Sequence, residues 1–116
     1  MSRNIFDYCS SKAEGWDMLP NFINEENHVG FISRTYGVNF IASLKDYGAL
    51  QCIHVSLTPI RSLRPNWSDK YHEEYMMANA SDIVQTFMGN RKFARQPDDA
   101  RRPSMRHYFS VLGENE

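Results

Sequence analysis

Apolar and polar residues alternate along the middle of this chain with the two-residue period of a β-strand. The alternation is clearest over residues 51–58, where one set of side chains is apolar and the other set carries hydrogen-bonding or nucleophilic groups. The first set is Ile53, Val55 and Leu57, and the second is Cys52, His54 and Ser56. This pattern predicts a strand with one face in the core and one face that carries chemistry.

The strand pattern extends upstream into two further β-prone runs, residues 29–36 and 38–44. Gly37 supplies a turn between these runs, and a second turn signal follows at residues 45–48. We therefore predict a three-stranded β-meander over residues 28–58.

A helical period replaces the strand period after the meander. Asn66 is a good helix cap, and the aromatic and small residues that follow it recur at helical spacing. These residues are Trp67, Tyr71, Tyr75 and Ala78. The pattern predicts a helix over residues 66–79, with its main body at 67–79 and its aromatic face packed on the sheet.

The two ends of the chain have weaker patterns. Residues 1–27 mix apolar and acidic positions and are divided by Pro20, which predicts short helices. The β-branched run at residues 83–88 and the alternation at residues 105–112 predict a β-hairpin over residues 82–112, whose connection is a loop at residues 90–104. The expected fold is one α+β domain over residues 1–116, with an antiparallel sheet of about five strands packed by the helix at 67–79.

Composition narrows the class of protein. The chain is 41% hydrophobic and 13% aromatic, which excludes an intrinsically disordered polymer.

The two cysteines, Cys9 and Cys52, provide no repeated ligand spacing, so no metal site and no cofactor are predicted. The sequence has no apolar run long enough for a signal peptide or a membrane span, so we expect a cytoplasmic protein, in the host cell if a phage encodes it.

Charge is segregated along the chain. Residues 91–106 carry a net charge of +4, whereas the remainder carries −5. Arginine forks match phosphates and carboxylates, and an aromatic ring can anchor such a contact. The candidate partner-binding residues are Arg91, Lys92, Phe93, Arg95, Arg101, Arg102 and Arg106. The partner is either an acidic protein surface or a nucleic acid, although a pI of about 6.4 is low for a dedicated RNA- or DNA-binding module.

A second candidate site comes from the strand at residues 51–58. The sequence His54-Val55-Ser56 resembles the histidine-x-serine/threonine element of the two-histidine phosphoesterases. That family uses two such elements, because one imidazole deprotonates the nucleophile and the other protonates the leaving group. The second candidate element, from His107 to Ser110, is one residue too long, and this places Ser110 on the face opposite His107. A reduced phosphodiesterase that uses His54, Ser56 and His107 is therefore an alternative hypothesis.

Three segments together resemble a family of small bacteriophage and prophage proteins of unknown function. These are residues 53–57, the sequence Arg64-Pro65-Asn66-Trp67 with the helix after it, and residues 82–85, and the resemblance extends over residues 52–112. Trp67 matches the ring at the start of the family's helix, and residues 106–109 match its terminal aromatic segment. The resemblance implies an accessory protein that occupies a surface on a host complex, for example a CRISPR effector or another defence complex. The leading hypothesis is thus a non-enzymatic inhibitor or binding protein that docks through the basic loop.

Overall fold

The part of the chain that the structure describes contains six antiparallel strands, two α-helices and two short 3-10 helices, Ile5–Tyr8 and Arg61–Leu63. This computed structural model describes residues 5–9, 16–19, 27–89, 91–95 and 105–114. The strands are β1 (Trp16–Met18), β2 (His28–Ser33), β3 (Val38–Tyr47), β4 (Leu50–Pro59), β5 (Ala94–Arg95) and β6 (Arg106–Glu114), and the helices are α1 (Asp69–Ala78) and α2 (Ala80–Met88). The sheet has the order β1-β2-β3-β4-β6-β5, so β6 lies between β4 and β5. The predicted α+β class and antiparallel sheet are confirmed, with six strands in place of about five.

The predicted meander is present as β2, β3 and β4. Every pair of neighbouring strands in it is antiparallel, and Phe40 of β3 lies opposite Leu57 of β4. The turn between β2 and β3 contains Gly37 at a φ of 68°, a backbone conformation that is costly for residues with a Cβ atom. The sequence therefore determines this half of the sheet through β-prone runs separated by glycine turns.

The hydrophobic core lies between one face of the sheet, called here the apolar face, and the two helices. Phe87 of α2 stacks on Phe31 and Phe40, with ring centroids 4.5 Å and 4.9 Å apart. The other fully buried apolar side chains of this layer are Ile5, Val29, Val38, Ala42, Ile53, Val55, Leu57, Met76 and Ile83. Sheet and helices are thus held together mainly by the burial of aliphatic and aromatic surface.

Residues 83–88 were predicted as a strand, and this prediction is wrong, because they belong to helix α2. The pattern Ile83, Val84, Phe87 and Met88 places four buried side chains on one side of a helix. Burial of that side against the sheet outweighs the β-propensity of the individual residues. The predicted hairpin over residues 82–112 is therefore replaced by a helix followed by β5 and β6, and β6 pairs with both β4 and β5.

Helix α1 lies close to its predicted position but begins at a different cap. The hydroxyl of Ser68 accepts a hydrogen bond from the backbone N–H of Tyr71 at 3.1 Å, so Ser68 is the N-cap where Asn66 was predicted. Asp69 occupies the first turn, where its carboxylate interacts favourably with the positive end of the helix dipole.

The buried face of α1 also differs from the prediction. His72 and Met76 are fully buried, whereas Tyr71 is exposed. Trp67 packs edge-on against Tyr71 and Tyr75, with centroids 4.8 Å and 5.0 Å apart. The aromatic residues therefore form a partly exposed cluster at the end of α1 instead of a face packed on the sheet.

The turn between β2 and β3 is held by hydrogen bonds from α1 and from Arg64, which precedes α1. Nε2–H of His72 donates to the carbonyl oxygen of Gly37 at 2.9 Å, and Nη2 of Arg64 donates to the carbonyl oxygens of Arg34 and Thr35, both at 2.7 Å. Burial lowers the pKa of His72, the hydrogen bond to Gly37 opposes this shift, and the guanidinium groups of Arg61 and Arg64 add to it. The neutral imidazole is therefore the form that fits this site.

The described residues of the N-terminal segment include one short helix and one strand. Ile5–Tyr8 form a short 3-10 helix, and Ile5 enters the core. Trp16–Met18 form the edge strand β1, where a helix was predicted, and most of the rest of residues 1–27 lies outside the described residues. None of the helices in the described ranges has the length and apolar character that crossing a membrane requires.

Candidate functional site

The face of the sheet opposite α1 and α2, called here the polar face, carries histidines and hydroxyls on its central strands. His54 lies between Ser43 of β3 and Phe109 of β6, and Ser56 lies opposite His107. All of these except the buried Ser43 are half-buried side chains. The register of β4 and β6 therefore brings His54, Ser56 and His107 into one cluster, called here the histidine cluster.

Within the histidine cluster, His54 and Ser56 both contact the ring of His107. Nε2 of His54 lies 3.2 Å from Nδ1 of His107, and Oγ of Ser56 lies 3.2 Å from the same Nδ1 atom. The two imidazole centroids are 5.1 Å apart, with an angle of 31° between the ring planes. A hydrogen bond between two imidazole nitrogens needs a single proton between them.

The shared proton couples the protonation of the two rings. In the neutral pair, one of the two facing nitrogens donates and the other accepts. The second nitrogen of the donating ring is then unprotonated, whereas the second nitrogen of the accepting ring carries hydrogen. In the neutral pair, one ring therefore presents an unprotonated outer nitrogen and the other ring presents an N–H, whichever ring donates the shared hydrogen bond.

The cluster is not a serine–histidine–acid triad. In a triad the serine contacts one ring nitrogen of the histidine, and the orienting group holds the other nitrogen. Here Ser56 and His54 both contact Nδ1 of His107. Because the two groups share a single nitrogen, Ser56 is better placed as a hydrogen-bonding group than as an activated nucleophile.

The cysteines are poor candidates for covalent chemistry. Cys52 lies on the polar face but is buried, and burial, followed by the Asp46 carboxylate, raises its pKa. Burial raises the pKa of Cys9 to about 12. Both thiols are free and stay protonated near neutral pH, which disfavours them as nucleophiles.

Metal ligands are sparse around the histidine cluster. Within the described ranges, no three or more histidine, cysteine, aspartate or glutamate side chains converge in a way that could hold a metal ion. His54 and His107 together supply two imidazole nitrogens, whereas structural zinc sites use four protein ligands and catalytic sites three.

The strand containing His107 does not provide a second histidine-x-serine element. Ser110 lies opposite Ile53 on the apolar side and is buried, as its spacing from His107 predicted. Phe109 takes the position two residues after His107 and lies beside His54. The period-two pattern of β6 indicated that Phe109 shares a face with His107, but the contact with His54 depends on strand register.

The candidate residues of the basic loop are distributed over several environments. Lys92 and Arg95 are exposed, the guanidinium of Arg91 lies 5.3 Å from the ring centroid of Tyr8, and Phe93 packs against the core. Arg106 is only 8% exposed, because its position in β6 directs it to the apolar side, so it is not an exposed contact. Arg101 and Arg102 lie outside the described residues. Docking through this loop stays a prediction.

Comparisons with protein-family models, with curated protein sequences and with solved structures found no match to this chain. The resemblance to small phage proteins therefore stays a prediction, and the case for a function depends on the chemistry of the histidine cluster.

Proposed function

We propose that this protein cleaves phosphodiesters by acid–base catalysis on the polar face of its sheet, as a reduced phosphodiesterase of the two-histidine type. The observation that carries the proposal is the 3.2 Å contact between Nε2 of His54 and Nδ1 of His107. This contact gives one neutral pair both an acid and a base, which are the two groups that phosphodiester transfer needs.

RNA is the substrate class that suits this chemistry best. Its 2′-hydroxyl is a built-in nucleophile, so the protein needs only to move protons and to bind the phosphate. The base nitrogen of one histidine takes the 2′-hydroxyl proton as the oxygen attacks phosphorus. The acid nitrogen of the other histidine protonates the departing 5′-oxygen, and the products are a 2′,3′-cyclic phosphate and a free 5′-hydroxyl.

The shared proton keeps the pair neutral during this reaction. When one ring gains the hydroxyl proton and the other gives up its own, the proton between His54 and His107 moves across their 3.2 Å contact. Both rings are then neutral in the opposite tautomers. When water then hydrolyses the cyclic phosphate, the two rings exchange roles, so that the former acid takes the proton of water and the former base protonates the 2′-oxygen. Both rings return to their starting tautomers.

The neighbours of the pair suit binding of the same substrate. The hydroxyl of Ser56 is a donor for a non-bridging phosphate oxygen, as the hydroxyls of two-histidine phosphoesterases are. Phe109 lies next to His54 and is half-buried, so its ring is suited to stack on a nucleobase of the RNA.

The test uses a short single-stranded RNA and a 2′,3′-cyclic nucleotide as substrates. We expect the wild-type protein to cleave RNA but not DNA of the same sequence, and the variants His54→Ala and His107→Ala to lose activity by about 10²-fold or more. Product masses measured by mass spectrometry identify the cyclic phosphate intermediate.

His28→Ala is the matched control for this experiment. His28 lies on the same face of the sheet in β2, and Ser43 separates it from His54. We expect His28→Ala to retain nearly full activity. The proposal is wrong if wild-type protein leaves both substrates intact, or if all three alanine variants cleave RNA as fast as wild type.

A further inference from the structure

A cavity of about 390 Å³ opens on the helical side of the sheet, next to α2 and β6. Its apolar walls include Met77, Val84 and Phe93, and the ring of Tyr108 closes the side towards the sheet. This volume is at the lower end of the range for small-molecule sites, and the lining combines apolar and polar groups in similar proportions. His107 and Tyr108 are adjacent in β6 and point to opposite faces, so the cavity is separate from the histidine cluster.

The polar groups of the cavity favour an anion. Arg91 is the one charged side chain among the described residues that line it, and no carboxylate lines it there. Ser81 and Gln85 add a hydroxyl and an amide, both of which can donate hydrogen bonds. The guanidinium of Arg91 also lies over the ring of Tyr8, a cation–π contact that restricts its position.

We propose that this cavity binds a small carboxylate with an aromatic body, independently of the function proposed for the polar face. The aromatic part of the ligand lies between Val84 and Phe93, where burial of its apolar surface supplies most of the binding free energy. Its carboxylate is held by Arg91, because a guanidinium matches a carboxylate with two parallel hydrogen bonds.

The test compares two probes that differ in their polar end. Isothermal titration calorimetry measures the binding of 3-phenylpropanoate and of 3-phenylpropanol to the full chain. We expect saturable binding of the acid, and binding of the alcohol that is about tenfold weaker or undetectable, because an uncharged hydroxyl cannot form the two charge-assisted hydrogen bonds that a carboxylate forms with Arg91.

Three variants locate the site. Arg91→Gln should weaken binding of 3-phenylpropanoate about tenfold, and Ser81→Trp, at an exposed position in the first turn of α2, should abolish it by filling the cavity. Lys92→Gln is the matched control, because Lys92 is an exposed neighbouring cation that does not line the cavity, and it should bind as wild type does. Circular dichroism checks that each variant is folded.

The proposal is overturned if wild-type protein does not bind 3-phenylpropanoate, or if acid and alcohol bind equally. It is also overturned if Lys92→Gln lowers the affinity as much as Arg91→Gln, since the acid would then respond only to the general positive charge of this segment. None of these results depends on RNA cleavage, so this proposal and the proposed function fail separately.

Discussion

The two faces of the sheet are built from alternate residues of the same strands, yet they carry different kinds of side chain. On β4, Val55 and Leu57 are fully buried against the helical layer, whereas His54 and Ser56 between them are half-buried on the other side. The apolar face accounts for most of the buried hydrophobic area, and the polar face holds the groups with acid–base chemistry. Because of this separation, we expect substitutions in the histidine cluster to cost little stability and substitutions on the apolar face to cost much more.

The largest expected effect is on the apolar face. Phe87→Ala should lower the free energy of unfolding by about 3–5 kcal/mol, because it removes a ring that is stacked on both Phe31 and Phe40 and leaves a cavity. Urea unfolding followed by circular dichroism measures the change. Ile41→Ala, at a half-buried position of the polar face, is the matched control, with an expected loss of about 1 kcal/mol. Equal losses in the two variants would contradict the proposed difference between the faces.

The turn at Gly37 should give the next largest effect. Gly37→Ala combines a positive φ of 68° with a new Cβ atom only 3.1 Å from both Cγ of Arg64 and Nε2 of His72, so we expect a loss of about 2–3 kcal/mol. Gly48→Ala is the control, because Gly48 has a φ of 61° but no heavy atom within 4 Å of the new Cβ, and should cost about 1 kcal/mol. Thermal unfolding distinguishes strain alone from strain plus a steric contact. Equal costs in the two variants would show that the contacts with Arg64 and His72 add nothing to the backbone strain.

A smaller, pH-dependent effect distinguishes the buried histidine from the clustered ones. Because burial lowers the pKa of His72, the unfolded chain takes up a proton that the folded protein resists. The contribution of neutral His72 to stability is therefore complete above the ordinary histidine pKa, and it is lost as pH falls from that value through the lowered one. Urea unfolding between about pH 7.5 and pH 5 should show this loss. In His72→Gln, the free energy of unfolding should depend less on pH than in the wild type. If it falls with pH as steeply as in the wild type, His72 is not the cause of the loss.

The smallest effect on stability should come from the histidine cluster itself. Ser56→Ala should change the free energy of unfolding by less than about 0.5 kcal/mol, because the hydroxyl is half-buried and makes one long hydrogen bond. RNA cleavage should nevertheless fall about tenfold, through the loss of one donor to the phosphate. Chemical unfolding and initial rates measured on the same samples test both statements. A variant that loses stability and keeps full activity would make Ser56 a structural residue.

Local patterns in the sequence were enough to predict the meander. Glycines at the two turns and β-branched or aromatic residues between them specify β2 to β4 without help from distant contacts. Helix α2 shows where this reasoning fails. Ile83, Val84 and Phe87 each favour strands, but their spacing of one and four positions puts them on one helical face. Counting matches to the helical period would have identified α2.

The sequence named all three residues of the histidine cluster as candidates, but it did not predict that they are in contact. The strand period showed that His54 and Ser56 share a face, and that Ser110 does not share one with His107. The convergence of His107 on that pair depends on the register between β4 and β6, which includes an irregularity between Gln51 and Cys52. Pairing of strands so distant in sequence is set by packing of the whole sheet, so no local pattern could indicate it.

The position of β6 in the sheet has a consequence for how the protein matures. His107 follows His54 by 53 positions, and their strands become neighbours only when β6 pairs with the edge of β4. A contact between residues so distant in sequence requires closure of a long loop, so we expect it to form after the local hairpins. During synthesis on the ribosome, the meander can therefore collapse into an inert intermediate while β6 is still in the exit tunnel. The two imidazoles meet only afterwards, so the proposed phosphodiesterase site is absent until β6 has left the ribosome.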